Sequence, residues 1–380
     1  MDTIVRQERR VRLVFGWVCL MLGQAACNHE APFQQPVFGS DTTRTRGTDR
    51  QLTYNIGNDR TPAWLPDGSG MVFMYEDLVR ADNDRCLARL PATGGSIDQL
   101  TCRSSFGSLD SIDTFFEPAP AADGQLLYLR ESSVSTSLTP TFSALMLGTV
   151  VAPEQAAQLR IYPYTASSGS IHQGISNIRW LTATTAVYLG ERVLYRPPCQ
   201  GCSPDTVRIG IEIVKLDLSG PAPVLTPLPN TLESSSVAAG TSGDDIYFTR
   251  NGDSRVYQMT VSTGAVSIIH DFGSLGIARD VQVSGVRMIA VVGGEVAYFN
   301  DPALGQIQVD NAGALWEVNL TTGSETPLPI PGRFVRRPAL SPEGSTVVAE
   351  SFILQINSCG PTCLDTLVVK TGDLWLVELP

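Results

Sequence analysis

Histidine is almost missing from this chain, with three in 380 residues. His29 falls in a polar N-terminal stretch, His172 in a connector and His270 at the end of a strand, so no imidazole-based acid–base site is legible. A Gly-x-Ser-x-Gly elbow is also missing, and no hydrolase domain follows the last repeat. No apolar run reaches the roughly 20 residues that a membrane-spanning helix needs. Basic residues are outnumbered, 27 to 38, for a formal net charge of −11. An acidic body repels phosphate backbones, which excludes nucleic acid as a partner. What is abundant is glycine (34), proline (25) and a 43% hydrophobic fraction. Bursts of aromatic and β-branched residues separated by turn-formers point to many short strands around a sizeable core.

The N-terminus reads as a targeting segment. Arg6, Arg9, Arg10 and Arg12 form a basic stretch, and Leu13 to Leu22 form an apolar run too short to span a bilayer. Gln24-Ala25-Ala26-Cys27 follows. Small residues before a cysteine resemble the lipobox of bacterial lipoproteins, which implies lipidation of Cys27, although Gln24 stands where that motif prefers Leu. Ordinary cleavage after Ala25 or Ala26 is the alternative. Residues 1–26 are therefore expected to be a signal peptide of an exported protein of the periplasm or cell envelope, anchored to the outer membrane by lipid alone. Residues 27–49 are expected to be a flexible tether spanning about 25 Å.

Six further cysteines fall into local pairs: Cys86 with Cys102, Cys199 with Cys202, and Cys359 with Cys363. Near-neighbour disulfides in an oxidising compartment are the expected pairing. Cys199-Gln200-Gly201-Cys202 has redox-motif spacing, but no helix follows to lower a thiol pKa. Cys359 and Cys363 lie three repeats away, too far to complete a zinc site with it.

One unit recurs along residues 50–380: strand, tight turn, apolar strand, loop, apolar strand, glycine turn, strand. The second strands form a column, Val72-Phe73-Met74, Leu127-Tyr128-Leu129, Val187-Tyr188-Leu189, Ile246-Tyr247-Phe248, Ile289-Ala290-Val291 and Val347-Val348-Ala349. Continuous apolar runs of this length belong to strands buried on both faces. A period of roughly 55 residues is that of a propeller blade with insertions. The sixth repeat stops after its third strand, while Arg50-Gln51-Leu52-Thr53 precedes the first repeat and reads like its fourth strand, Asp98-Gln99-Leu100-Thr101. The expected fold is all-β, a six-bladed β-propeller closed by an N-terminal strand that completes the last blade.

Trp64-Leu65-Pro66-Asp67-Gly68 before Met71-Val72-Phe73 resembles the Trp-Ser-Pro-Asp-Gly hairpin of the TolB-like, or PD40, WD40-like propeller repeat. Ser341-Pro342-Glu343-Gly344 and Ala122-Asp123-Gly124 are weaker copies. The resemblance covers about residues 50–380 and implies the propeller fold; it says little about function. It does not extend to the α/β domain that precedes the propeller in that family, because the polar stretch before residue 50 is too short for one.

Function is expected on one face. The connections between second and third strands are long (76–85, 131–143, 191–208, 293–313, 353–372) except at Asn251-Gly252-Asp253, and long loops on one rim mark a binding face. The segments leading into each blade put Arg60, Glu117, Arg179, Arg279, Asp280, Arg333, Arg336 and Arg337 on that face. These residues would either capture a carboxylate, a phosphate or an acidic chain, or pair with acids of neighbouring blades. Asp82-Asn83-Asp84 offers oxygens to calcium but lacks the glycine and distant Glu of an EF-hand. Glu117, Asn177 and Asp280 would occupy the place of the calcium ligands of six-bladed lactonases. The reading adopted is a non-catalytic interaction module that binds a protein or envelope partner without a cofactor. The alternatives are a metal-dependent hydrolase or lactonase and a small-molecule or glycan binder.

Overall fold

The computed structural model describes residues 49–54, 57–77, 84–102, 111–134, 140–163, 169–196, 205–294, 296–301, 305–310, 313–328, 330, 334–357 and 366–379. The leader, Cys27, the tether, Asp82-Asn83, Arg333 and the cysteine pairs at 199/202 and 359/363 lie outside them. All the strands fall within one compact unit, Arg46–Pro380.

A short strand, β1 (Arg50–Gln51), precedes blade 1, which is β2 (Arg60–Trp64), β3 (Gly70–Asp77), β4 (Asp84–Pro91) and β5 (Asp98–Thr101). Blade 2 is β6 (Ser111–Pro120), β7 (Gln125–Val134), β8 (Pro140–Thr149) and β9 (Ala157–Pro163). Blade 3 is β10 (Gly169–Trp180), β11 (Thr185–Arg196), β12 (Asp205–Asp217) and β13 (Val224–Pro227). Blade 4 is β14 (Ser234–Ala239), β15 (Asp245–Arg250), β16 (Arg255–Thr260) and β17 (Ala265–Asp271). Blade 5 is β18 (Ile277–Ser284), β19 (Arg287–Gly293), β22 (Ala314–Asn319) and β23 (Glu325–Leu328), with a separate hairpin, β20 (Val296–Asp301) and β21 (Gly305–Asp310), inserted after β19. Blade 6 is β24 (Phe334–Leu340), β25 (Thr346–Asn357) and β26 (Thr366–Glu378), completed by β1. Each blade is a four-stranded antiparallel sheet, and the chain is a six-bladed β-propeller.

Closure occurs where the repeat pattern places it. Arg50 pairs with Leu376 and Gln51 with Trp375. The seam continues beyond the strand: the Leu52 N–H donates to the Leu374 carbonyl at 2.7 Å, the Leu374 N–H to Thr53 Oγ1 at 2.9 Å, and the Asp59 N–H to the Gly372 carbonyl at 2.6 Å. Gly372 has no room for a side chain, because a Cβ there would lie 2.7 Å from Glu350 Cγ.

The core is not one body but a series of interfaces between adjacent blades. Leu127, Leu129 and Leu145 of blade 2 meet Ile178, Tyr188 and Val214 of blade 3, and Val187, Ile213 and Leu189 of blade 3 meet Phe248 and Met259 of blade 4. Equivalent clusters fill the other seams. Val187 and Tyr188 thus point to opposite sides of their sheet and both find a neighbour. This is why the second strands are apolar without alternation, each fully buried large side chain contributing about 1.5–3 kcal/mol.

Two indoles recur across seams. Trp64 Nε1 donates to the Ala339 carbonyl of blade 6 at 2.9 Å, and Trp180 Nε1 to the Ala119 carbonyl of blade 2 at 2.8 Å. Cys86 and Cys102 face each other across β4 and β5 with their sulfurs 2.10 Å apart.

Two expectations are corrected. The insertions in blades 3 and 6 are extended hairpins, β11–β12 and β25–β26, with strands up to 13 residues, but that of blade 2, β7–β8, is also largely strand rather than loop, and the insertion of blade 5 forms its own hairpin. Antiparallel pairing satisfies the backbone of a long excursion, which a bare loop leaves to water. His172 belongs to β10, not to a connector.

Candidate functional site

The innermost strands, β2, β6, β10, β14, β18 and β24, neighbour one another in turn around the axis. In five of them one residue lies in the left-handed region: Thr61, Glu117, Asn177, Asp280 and Arg337, with φ between 48° and 53°. Each sits at a register shift, for example between Phe116 and Ala119 and between Arg336 and Ala339. These are β-bulges, which re-aim one side chain out of the pleat. In β14 the shift falls between Ser234 and Ser236, and the left-handed residue, Glu233 (φ 65°), comes just before the strand. A non-glycine residue in this conformation costs about 1–3 kcal/mol.

The bulges are linked by side chains that reach the next blade's backbone. Glu117 Oε2 accepts from the Asn177 N–H at 3.0 Å, and Asp280 Oδ2 from the Arg337 N–H at 2.9 Å. Ser236 Oγ accepts from the Val281 N–H at 3.2 Å. One ion pair crosses the mouth from blade 6 to blade 2, Arg337 Nη1 to Glu117 Oε1 at 3.0 Å. In a second group, Arg336 Nε and Nη2 both bond Glu350 Oε1 (2.8 and 2.6 Å), and Arg60 Nε approaches the same oxygen at 3.6 Å.

The guanidiniums feel opposing influences. Burial works against the charge of Arg337, but Glu117, Glu350 and Asp280 outweigh it and hold its pKa above the ordinary value. Arg179 is pulled below its ordinary value by burial, opposed by Glu117 and Asp280. Burial also lowers Arg60, against the pull of Glu350. Five arginines (60, 179, 279, 336, 337) are interleaved at the mouth with acids that include Glu76, Glu117, Asp280 and Glu350.

A cavity of about 430 Å³ opens between blades 4, 5 and 6. Arg279, Arg336, Arg337 and Asp280 line it, with Phe352 and Val291 on its apolar side and Ser235, Asn251 and Gly252 toward blade 4. Arg336 lies over the Phe352 ring, 4.9 Å from its centroid. Blade 4 is the low point of the rim: β15 and β16 have six residues each, against 12 and 13 in β11 and β12.

All seven sequence-nominated residues, Arg60, Glu117, Arg179, Arg279, Asp280, Arg336 and Arg337, lie on the inner strands at or within two residues of a bulge. Three of the arginines pair with acids: Arg60 with Glu350 of the neighbouring blade, Arg336 with Glu350 of its own blade, and Arg337 with Glu117 two blades on. Sequence reasoning missed Glu350, Ser236 and the bulges themselves. The signal was present in Thr61-Pro62-Ala63, Glu117-Pro118-Ala119 and Arg337-Pro338-Ala339, where a polar residue precedes Pro-Ala at the same place in three blades. Among the described residues, no three His, Cys, Asp or Glu side chains converge as metal ligands would.

No known protein family and no curated protein matches the sequence. Solved structures do match. A gluconolactonase from Xanthomonas campestris superposes with a TM-score of 0.51 at 14% identity, covering 88% of this chain and 90% of that one. A putative TolB from Agrobacterium tumefaciens gives 0.48 at 14% identity, covering 87% and 94%. TolB from Acinetobacter baumannii gives 0.47 at 13% identity, and this chain spans 86% of itself and 65% of that protein's length. At these identities the likeness concerns the fold alone, the β-propeller.

Proposed function

We propose that this protein is a non-catalytic, exported binding module that recognises a protein or envelope partner through the face carrying the long hairpins. The observation that carries this reading is the asymmetry of the two faces. Strands up to 13 residues long project around a mouth lined by arginines and acids, while the opposite face is made of short turns such as Pro66-Asp67-Gly68. Recognition surfaces concentrate on such extensions of a rigid scaffold.

The lactonase alternative asks Glu117, Asn177 and Asp280 to converge on a cation. Glu117 instead holds a guanidinium at 3.0 Å and a backbone N–H, and Asp280 accepts the Arg337 N–H. A site that places arginine among its carboxylates is built for anions rather than cations, which supports binding over metal chemistry. Calcium added to purified protein is expected to leave its thermal midpoint unchanged.

The test of the reading is a comparative recovery of partners with the intact protein and with the hairpin of residues 191–208 trimmed. Loss of a partner on trimming is expected; equal recovery counts against this face. Export and tethering belong to the same proposal. Mass spectrometry of the native N-terminus should find a lipid-modified Cys27, and an unmodified residue 26 or 27 at that end would replace the anchor with plain secretion.

A further inference from the structure

The cavity between blades 4, 5 and 6 has a chemistry that the partner-binding reading does not use. Three of its walls bear guanidiniums, those of Arg279, Arg336 and Arg337. Two of these are already paired with internal acids, Arg336 with Glu350 and Arg337 with Glu117. The pairing is partial. The Arg336 and Arg337 side chains are 35% and 39% exposed, whereas Glu350 and Glu117 are 0% and 6% exposed. Each guanidinium has five N–H donors, and one carboxylate oxygen does not use them all. Both guanidiniums belong to residues that line the cavity.

The remaining lining includes one carboxylate, Asp280, whose Oδ2 accepts the Arg337 N–H, and otherwise neutral groups of two kinds. Ser235, Asn251 and the Gly252 backbone offer hydroxyl, amide and peptide groups, and Phe352 and Val291 offer an apolar side. A volume of about 430 Å³ is at the small end of ligand pockets and suits a body of monosaccharide size.

We propose that this cavity is an anion site for a small hydroxylated molecule carrying one carboxylate, and that Glu117 is its built-in competitor. Glu117 stands where a ligand carboxylate would stand relative to Arg337, and it reaches there from blade 2, across the mouth. An incoming carboxylate replaces Glu117 at the Arg337 fork, and Glu117 keeps its second contact, the Asn177 N–H. Glu350 plays no such part. It is paired on its own blade, opposite Arg336 in the β24–β25 ladder, and stays in place.

The experiment is calorimetric titration of the full chain with D-glucuronate as the probe and D-glucose as its neutral counterpart, at low salt. The wild type is expected to bind the acid and not the neutral sugar. Glu117→Gln keeps an oxygen for the Asn177 N–H and removes the charge that competes, so it is expected to bind D-glucuronate about 2- to 5-fold more tightly. Arg337→Gln is expected to weaken binding tenfold or more, on the order of one charged hydrogen bond lost. Should that variant fail to fold, Arg279→Gln, on a different strand of the same cavity, reads the same site. Equal binding of both sugars, no binding of either, or an affinity unchanged in Glu117→Gln overturns the proposal. None of these outcomes touches the hairpin face, whose own test is the trimmed hairpin.

Discussion

The two faces of this propeller use the same backbone conformation for opposite ends. On the turn face, Gly68, Gly124 and Gly344 are left-handed and carry no side chain, and the turns repeat with little change: the Gly68 N–H bonds Leu65, the Gly124 N–H bonds Ala121 and the Gly344 N–H bonds Ser341. On the mouth face the left-handed residues of the inner strands are Thr61, Glu117, Asn177, Asp280 and Arg337, none of them glycine. Glycine makes such a turn without steric cost. A side chain there is held at a cost, and at Glu117 and Asp280 the compensation is visible as bonds to the next blade. One face is optimised for closing strands, the other for placing groups around an axis.

This contrast can be broken in several ways. The largest effect is expected at blade 1, whose bulge residue, Thr61, has a buried hydroxyl with no hydrogen-bond partner and so no tie of that kind. The Cys86–Cys102 link closes a loop with a sequence separation of 16. Replacing both with serine should cost about 3 kcal/mol, read by urea unfolding. Next is Glu117→Ala, which strips Arg337 of its partner and the Asn177 N–H of its acceptor. A loss of about 2–3 kcal/mol is expected, below that for a fully buried pair because Arg337 is partly exposed. A crossed pair of substitutions comes third. Thr61→Gly should stabilise by about 1 kcal/mol, since strain is relieved and no bond is lost, while Gly68→Ala should destabilise by a similar amount. If both changes destabilise, the bulge at Thr61 is unstrained and the contrast fails.

The smallest effect concerns pH. Glu76 on the mouth side is buried, which works against its charge, but hydrogen bonds from Arg85 and Asn58 outweigh this and hold its pKa below the ordinary 4.5. A carboxyl depressed in the folded state stabilises the protein above pH 4.5, and that contribution is lost as pH falls below it. Glu76→Gln should therefore flatten the acid limb of thermal stability. Asp67, held down by Ser69 in an exposed turn, should change that limb less when replaced by Asn.

Much of the fold could be read from the chain because each blade meets a neighbour on both sides. That requirement writes Val187-Tyr188-Leu189 and its five counterparts as continuous apolar triplets. The ring closure was legible for a related reason, since Arg50-Gln51-Leu52 had no hairpin of its own to join. Strand length in the insertions was only partly legible: cysteine pairs near the tips marked the extended hairpins of blades 3 and 6, whereas the hairpin inserted in blade 5 had no such mark. The site was half legible. Charged residues on the inner strands stood out, but their partners did not. Glu350 is one acid among 38 in the sequence, and only the fold sets it beside Arg60 and Arg336. The Pro-Ala pairs were visible without a reason until the bulges supplied one.

Closure by β1 also decides how the molecule responds to force. Residues 50–53 are held to β26 by a handful of backbone hydrogen bonds and the Leu52 side chain. Tension applied along the preceding residues would peel this strand away one bond at a time before loading any hairpin, and it would release an edge of blade 6 next to Trp375 and Leu376. The ring's fastening is thus also its mechanical fuse.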